Sequence, residues 1–259
     1  MRDIKLFDHE DHQFILLNES EGGAENGIRS NQYLVKHGSV GVLLDPGGFG
    51  VMPRMLAEML RYLEPTQIKA IMLSHQDPDI VAGIGAWIEL ISAPIYISRI
   101  WKRFLPHYGI KATEQFVGVP DVGMMCDIEP GFQLQLIPAH FLHSEGQINV
   151  YDPVSKILFT GDIGTAVLPD TEDFVYVEDF NEHLPYIDWF HKRYMCANSA
   201  ARAWVERVSE LEIEVLAPQH GPVYRGKAVT DFLTWFKDLR CGTDLMSKGG
   251  KFQLGDQNA

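Results

Sequence analysis

Apolar positions along the 259-residue chain follow two rhythms, short unbroken runs and stretches with helical spacing. The run that ends at Leu73 predicts a buried strand, Gln13–Leu17 and Glu214–Ala217 predict short apolar strands, and Pro94–Ile97 predicts an alternating one. Gln32–Lys36 and Val40–Leu44 predict a hairpin around His37-Gly38-Ser39. Gln147–Tyr151 and Lys156–Thr160 predict a second around Asp152-Pro153-Val154-Ser155. Phe132–Ile137 alternates strictly and predicts a half-buried strand. Helical spacing marks Met52–Leu63, Asp79–Ser92, Trp101–Tyr108 and Val229–Leu239, the last packing Phe232, Trp235 and Phe236. Residues 183–211 predict two helical pieces, with Asn198 capping the second. The small residues Ala82, Gly83, Gly85 and Ala86 predict close helix–sheet packing. Glu19–Arg29 is expected to be a polar loop. Residues 1–247 are expected to form one domain, and 248–259 a flexible tail.

The ends of the runs carry the chemistry. The run Ile71-Met72-Leu73 stops at Ser74-His75-Gln76-Asp77-Pro78-Asp79, where an imidazole and two carboxylates are spaced by single residues. In an extended segment alternate side chains share a side, and Pro78 prevents a central strand from continuing. By itself the stretch fits a metal-binding loop or, equally, an acidic turn with Asp79 capping the next helix. Three more runs end in the same way, at His143, Asp162 and His220, each flanked by Gly, Pro or Ser. The same arrangement at four strand ends points to one shared site. Three imidazoles and three carboxylates fit a binuclear metal centre with one bridging carboxylate.

Composition narrows the class without naming a chemistry. An apolar fraction of 46% and a charged fraction of 22% are ordinary for a globular protein. A formal charge of −13 argues against a nucleic-acid backbone as partner. The first residues, Met1-Arg2-Asp3-Ile4-Lys5, have no apolar core of signal-peptide length, and no later stretch would span a bilayer. Cys126, Cys196 and Cys241 are few and lack metal spacing. A cytoplasmic location without membrane association is the expectation. Gly47-Gly48 is not followed by the glycines of a nucleotide fingerprint.

The segments SHQDPD, AHFLHSEG, KILFTGDIG and APQHGPVYRG resemble the metallo-β-lactamase superfamily, whose hallmark is H-x-H-x-D-H followed by distant His, Asp and His. The likeness runs from the hairpin at Gln32 to His220. It is closer to the lactamase-like domain of flavodiiron proteins, which carry H-x-E-x-D-H and hold two irons. Closer still are their stand-alone relatives, the oxygen-binding diiron proteins that lack a flavodoxin module. The resemblance implies an α/β fold, a four-layer αββα sandwich of the metallo-β-lactamase type. It assigns His75, Asp77 and His143 to one iron and Asp79 and His220 to the other, with Asp162 between them. It also implies a homodimer.

The chain departs from that motif at two positions. Ile80 stands where the motif ends in His, so one nitrogen donor is lost. Asp77 replaces the family Glu, or the second His of the hydrolases. The harder, anionic ligand favours iron or manganese over zinc. The expected function is therefore a non-haem diiron protein binding O2 or NO, as an oxygen sensor or carrier with a redox or signalling partner. A diiron O2 or NO reductase fed by a separate electron donor is the alternative, and a zinc-dependent hydrolase comes after it. Beyond the ligands no catalytic residue is assigned, and whether the chain is an enzyme stays open. His140 is read as hydrogen-bonding beside the pocket or, less favoured, as a substitute ligand. Tyr224 is read as packing or, less favoured, as a donor to a bound ligand. His9, His12, His37, His107, His183 and His191 are read as ordinary surface or core residues.

Overall fold

The structure, a computed structural model, describes residues 3–17, 29–111, 113–169, 174–247 and 249–252. The expected loop at 19–28 and most of the expected tail at 248–259 lie outside the described residues.

Among the described residues, one sheet has seven strands in sequence order: β1 (Ile4–His9), β2 (His12–Leu17), β3 (Gln32–His37), β4 (Val40–Leu44), β5 (Ile68–Met72), β6 (Ile95–Ser98) and β7 (Phe116–Val119). The other comprises β8 (Met124–Glu129), β9 (Phe132–Pro138), β10 (Ile148–Asp152), β11 (Ile157–Gly161), β12 (Val215–Pro218) and β13 (Tyr224–Arg225), stacked in the order β13-β12-β11-β10-β9-β8. Helices α1 (Met52–Met59), α2 (Pro78–Val81), α3 (Ile84–Leu90) and α4 (Arg99–Lys102) accompany the first sheet in sequence. Helices α5 (Phe180–Tyr194), α6 (Asn198–Val208) and α7 (Lys227–Asp238) follow the second.

The unbroken apolar runs are explained by three separate cores. On β2, Phe14 and Leu16 join Leu134, Leu136 and Phe159 between the sheets. Their neighbours Ile15 and Leu17 face outward, into a core shared with Met55, Ile84 and Trp87 of α1 and α3. The second sheet repeats the arrangement, with Leu158 and Leu216 packing on Ile187, Trp204 and Phe232 of α5, α6 and α7. A strand buried on both faces needs no polar alternation. The layers are helix, sheet, sheet and helix. Phe132–Ile137 is half-buried as its alternation predicts, with Gln133 exposed.

Three expectations are corrected. The single helix over Asp79–Ser92 is two short ones, broken near Gly83. A Cβ on Gly83 would lie 2.6 Å from the Gly47 carbonyl oxygen, so the close approach is to the Gly47-Gly48 turn rather than to a sheet. Gly85 has open space around it. Asn198 is the first residue of α6, not its cap. The Asp244 carboxylate accepts the Asn198 backbone N–H at 2.6 Å, while the Asn198 amide donates to the carbonyls of Lys237 and Leu239.

Candidate metal centre

The C-terminal ends of β5, β9, β11 and β12 converge, and each delivers part of the cluster. β5 ends at Met72, and the chain then turns through Ser74 and His75 into α2. Ser74 is gripped by Asp45, just past β4. Its backbone N–H donates to Asp45 Oδ1 at 2.7 Å, and its hydroxyl donates to Asp45 Oδ2. The same hydroxyl lies 2.9 Å from His75 Nδ1, which leaves His75 Nε2 facing the cluster. His143 has a left-handed backbone with φ of 68° and sits against the rings of Phe190 and Tyr194. Asp162 follows Gly161, where an added Cβ would press on the Ser74 side chain at 3.0 Å. His220 donates from Nδ1 to the Arg29 carbonyl at 2.7 Å, which likewise turns its Nε2 inward. Asn31 and Tyr33 hold the His220 loop by donating to the Pro218 carbonyl.

The six candidate ligands of the sequence come together around Asp162. Its Oδ2 lies 3.9 Å from His75 Nε2 and 3.5 Å from His143 Nε2, while its Oδ1 lies 3.7 Å from His220 Nε2. Asp77 Oδ2 stands 3.6 Å from His75 Nε2 and 3.0 Å from His143 Nε2. Asp79 Oδ2 stands 3.3 Å from His220 Nε2 and accepts from Gln219 at 3.1 Å. One carboxylate thus faces two nitrogen groups, each with its own second carboxylate. Asp162 Oδ1 is buried and has no hydrogen-bond partner in the protein. A buried, unpartnered carboxylate oxygen is costly unless a cation completes it, so the donor set fits metal ions. His75, His143 and Asp162 place one ligand atom each within 4.8 Å of one another.

The electrostatics agree with that fit. Burial draws the His75 and His220 imidazoles down, but facing carboxylates outweigh it. His75 is raised, chiefly by Asp162 and Asp77, and His220 is pushed up to about 9 by Asp79 and Asp162. Burial also pushes Asp77 up, yet hydrogen bonds from His143 and His75 hold it well below the ordinary carboxylate range. Without metal, the cluster is a trap for protons, and a metal ion competes with them.

The remaining named residues lie outside the ring of candidate ligands. His140 places its nitrogens 3.2 Å from the Glu145 carbonyl and 3.0 Å from the Asp121 carbonyl. Tyr224 is fully buried and donates to the Gly164 carbonyl at 2.8 Å, which braces the turn after Asp162. Ile80 is fully buried in the apolar core of the first sheet and offers no donor. The sequence reading missed Asp45, although it too is a carboxylate just past an apolar strand. Burial pushes its carboxyl up to about 7, against the pull of His75.

A family model described as ODP family beta lactamase matches residues 28–221. A structure titled as the peroxy diiron species of the chemotaxis sensor ODP superposes with a TM-score of 0.85. It is 40% identical and covers 94% of this chain and 97% of that one. The apo state of the chemotaxis sensor ODP from T. denticola gives 0.82 at 41% identity, covering 93% of this chain and 96% of that one. The flavodiiron protein from Giardia intestinalis gives 0.76 at 16% identity, a likeness of fold that covers 91% of this chain and 58% of that one. Diflavin flavoprotein A 1 of Synechocystis sp. is 26% identical over 209 residues, 79% of this chain and 35% of its own length. The chain therefore spans about a third of that relative.

Proposed function

This chain belongs to the ODP family of beta-lactamase-fold proteins, and from that premise we propose that it is a non-haem diiron protein that binds O2 as a sensor. The observation that carries the reading is the Asp162 carboxylate, one oxygen turned to His75 and His143 and the other to His220. In this reading His75, Asp77 and His143 hold one iron, Asp79 and His220 hold the other, and Asp162 lies between. Two ferrous ions would supply the electrons that reduce bound O2 by two. The likeness to a chemotaxis sensor known as a peroxy diiron species supports O2 as the ligand and sensing as the role.

The chain's own residues do the rest. Asp45, through Ser74, fixes the His75 ring, and the Arg29 carbonyl fixes His220; held imidazoles keep their inward lone pairs aligned. The Asp77 and Asp79 side chains are 34% and 42% exposed, so the site opens to solvent on their side. Ile80 carries no donor atom, so Asp79, His220 and the shared Asp162 are the residues that would hold a second metal. An isoleucine supplies no proton donor either. Few proton donors disfavour O–O cleavage, which suits binding and signalling over turnover. A signalling or redox protein partner and a homodimer belong to the same proposal. Among the described residues, no helix is long and apolar enough to cross a membrane.

The test is anaerobic. Protein purified without added metal should contain two irons per chain. On mixing its reduced form with O2, a stable visible band should appear without continued O2 consumption from a simple electron donor. Two zincs with ester turnover, or steady O2 consumption, would overturn the sensor reading.

A further inference from the structure

Three histidines form a row across the first three strands. His9 and His12 flank the two-residue turn Glu10-Asp11 and pair across it, and His12 in turn pairs with His37 on β3. Residues directly opposite in an antiparallel ladder share a face, with Cβ atoms about 4.5–5.5 Å apart. The row lies at the far end of the sandwich from the candidate metal centre. His37 pairs with Val40, whose neighbour Gly41 pairs with Ile68 at the start of β5, whereas His75 lies beyond its end.

The middle imidazole is held as a metal ligand would be. His12 is 3% exposed, and its Nε2 donates to Asp152 Oδ2 at 2.7 Å. Asp152, fully buried on β10 of the other sheet, is fixed by the Ser155 hydroxyl and the Val154 N–H. A carboxylate on Nε2–H leaves the Nδ1 lone pair of a neutral ring free, the arrangement found behind most metal-bound histidines. That lone pair faces His37 Nδ1 at 3.2 Å. Two nitrogens on a tetrahedral zinc at about 2.0–2.1 Å stand roughly 3.3 Å apart. His37 is half-buried, which gives the gap a side open to solvent. The Phe132 ring packs on both imidazoles and restricts their rotation.

We propose that His12 and His37 form a separate binding site for one divalent transition-metal ion of imidazole preference, such as Zn2+, with Asp152 positioning His12. Such an ion takes the place of a single proton shared between the two rings. His9, exposed and one strand over, and the acidic turn Glu10-Asp11 draw cations to this edge. The ion ties the edge hairpins to the inner sheet contact through His12 and Asp152.

Iron-loaded protein is dialysed against micromolar Zn2+, and iron and zinc are counted in the same sample. The proposal expects one zinc beyond the plateau of the main centre, with iron unchanged. X-ray absorption at the zinc edge should show imidazole scattering from two ligands. In His37→Ala the affinity for the extra zinc should fall at least about ten-fold, again with iron unchanged. No extra zinc, oxygen-only ligation, or equal uptake by His37→Ala would each overturn it. The zinc-edge spectrum is taken on the wild type, so the proposal stays testable even if the variant fails to fold. A failure here leaves the iron count, and thus the O2-binding reading, untouched.

Discussion

Two groups of buried histidines lie on opposite sides of the turn that carries Asp162, and their surroundings push them in opposite directions. On the open side His75 and His220 are raised, because carboxylates of Asp77, Asp79 and Asp162 face them closely enough to overcome burial. Behind the turn, burial pushes His183 and His191 each down to about 4; on His191 it outweighs the upward pull of the Ile187 carbonyl, Asp162 and Asp188. His191 uses its neutral ring as an acceptor, taking the Gly164 N–H on Nε2 at 2.9 Å. His183 lies 3.1 Å from the Tyr224 hydroxyl, which donates to the Gly164 carbonyl. Burial is common to all four rings; the nearby carboxylates decide whether a ring collects positive charge or stays neutral. The front group is built to hold cations, and the rear group to hold the Asp162 turn in place.

The contrast breaks most sharply at the residue between the groups. Asp162→Ala should cost nearly all bound metal, because both nitrogen groups lose the carboxylate they share. Metal analysis after gel filtration checks this, and full retention would show that Asp162 is not the bridge.

Acid sharpens the contrast next. The rear histidines have folded values near 4 against the ordinary 6.5, so the unfolded chain binds more protons between those limits. Their contribution is complete above about 6.5 and vanishes as pH falls toward 4, a loss on the order of 3 kcal/mol for each ring. The front group has the opposite sign. In the metal-free chain the stabilisation from His220 is complete below 6.5 and is lost as pH rises through about 9. Metal affinity should climb over that same interval as the competing proton leaves. Denaturant melts of chelated protein, together with metal titrations across pH, separate the two.

His191→Ala removes the acceptor for the Gly164 N–H and opens a space in the core. It should cost about 2–4 kcal/mol in denaturant unfolding while the folded protein still loads iron. Loss of iron with unchanged stability would contradict the division of labour. Ile80→His is the mildest change. It should slow removal of the second iron by a chelator, at a cost of about 1–3 kcal/mol for a polar ring in an apolar core. Unaltered chelation kinetics would mean that position 80 does not face that metal.

Parts of this organisation are legible in the sequence because polar groups that follow unbroken apolar runs stand out. His75, His143, Asp162 and His220 are found that way, and the structure gathers all four. Asp45 obeys the same rule yet escapes notice, since its hydrogen bonds reach His75 through Ser74 rather than directly. The edge strands β1 and β8 carry exposed charged residues and lack a continuous run. The break between α2 and α3 depends on contact with a turn 35 residues earlier, which spacing along the helix does not reveal. The same holds for Asp244 capping α6 from 46 residues away. His9, His12 and His37 look ordinary until strand register sets them in a row.

The central claim is a pair of unlike metal positions sharing Asp162, and Mössbauer spectroscopy of the reduced protein loaded with 57Fe reads it directly. The account predicts two ferrous doublets of equal area with different parameters: one for the position of His75, Asp77 and His143, the other for that of Asp79 and His220. A single doublet, or one iron per chain, would contradict it.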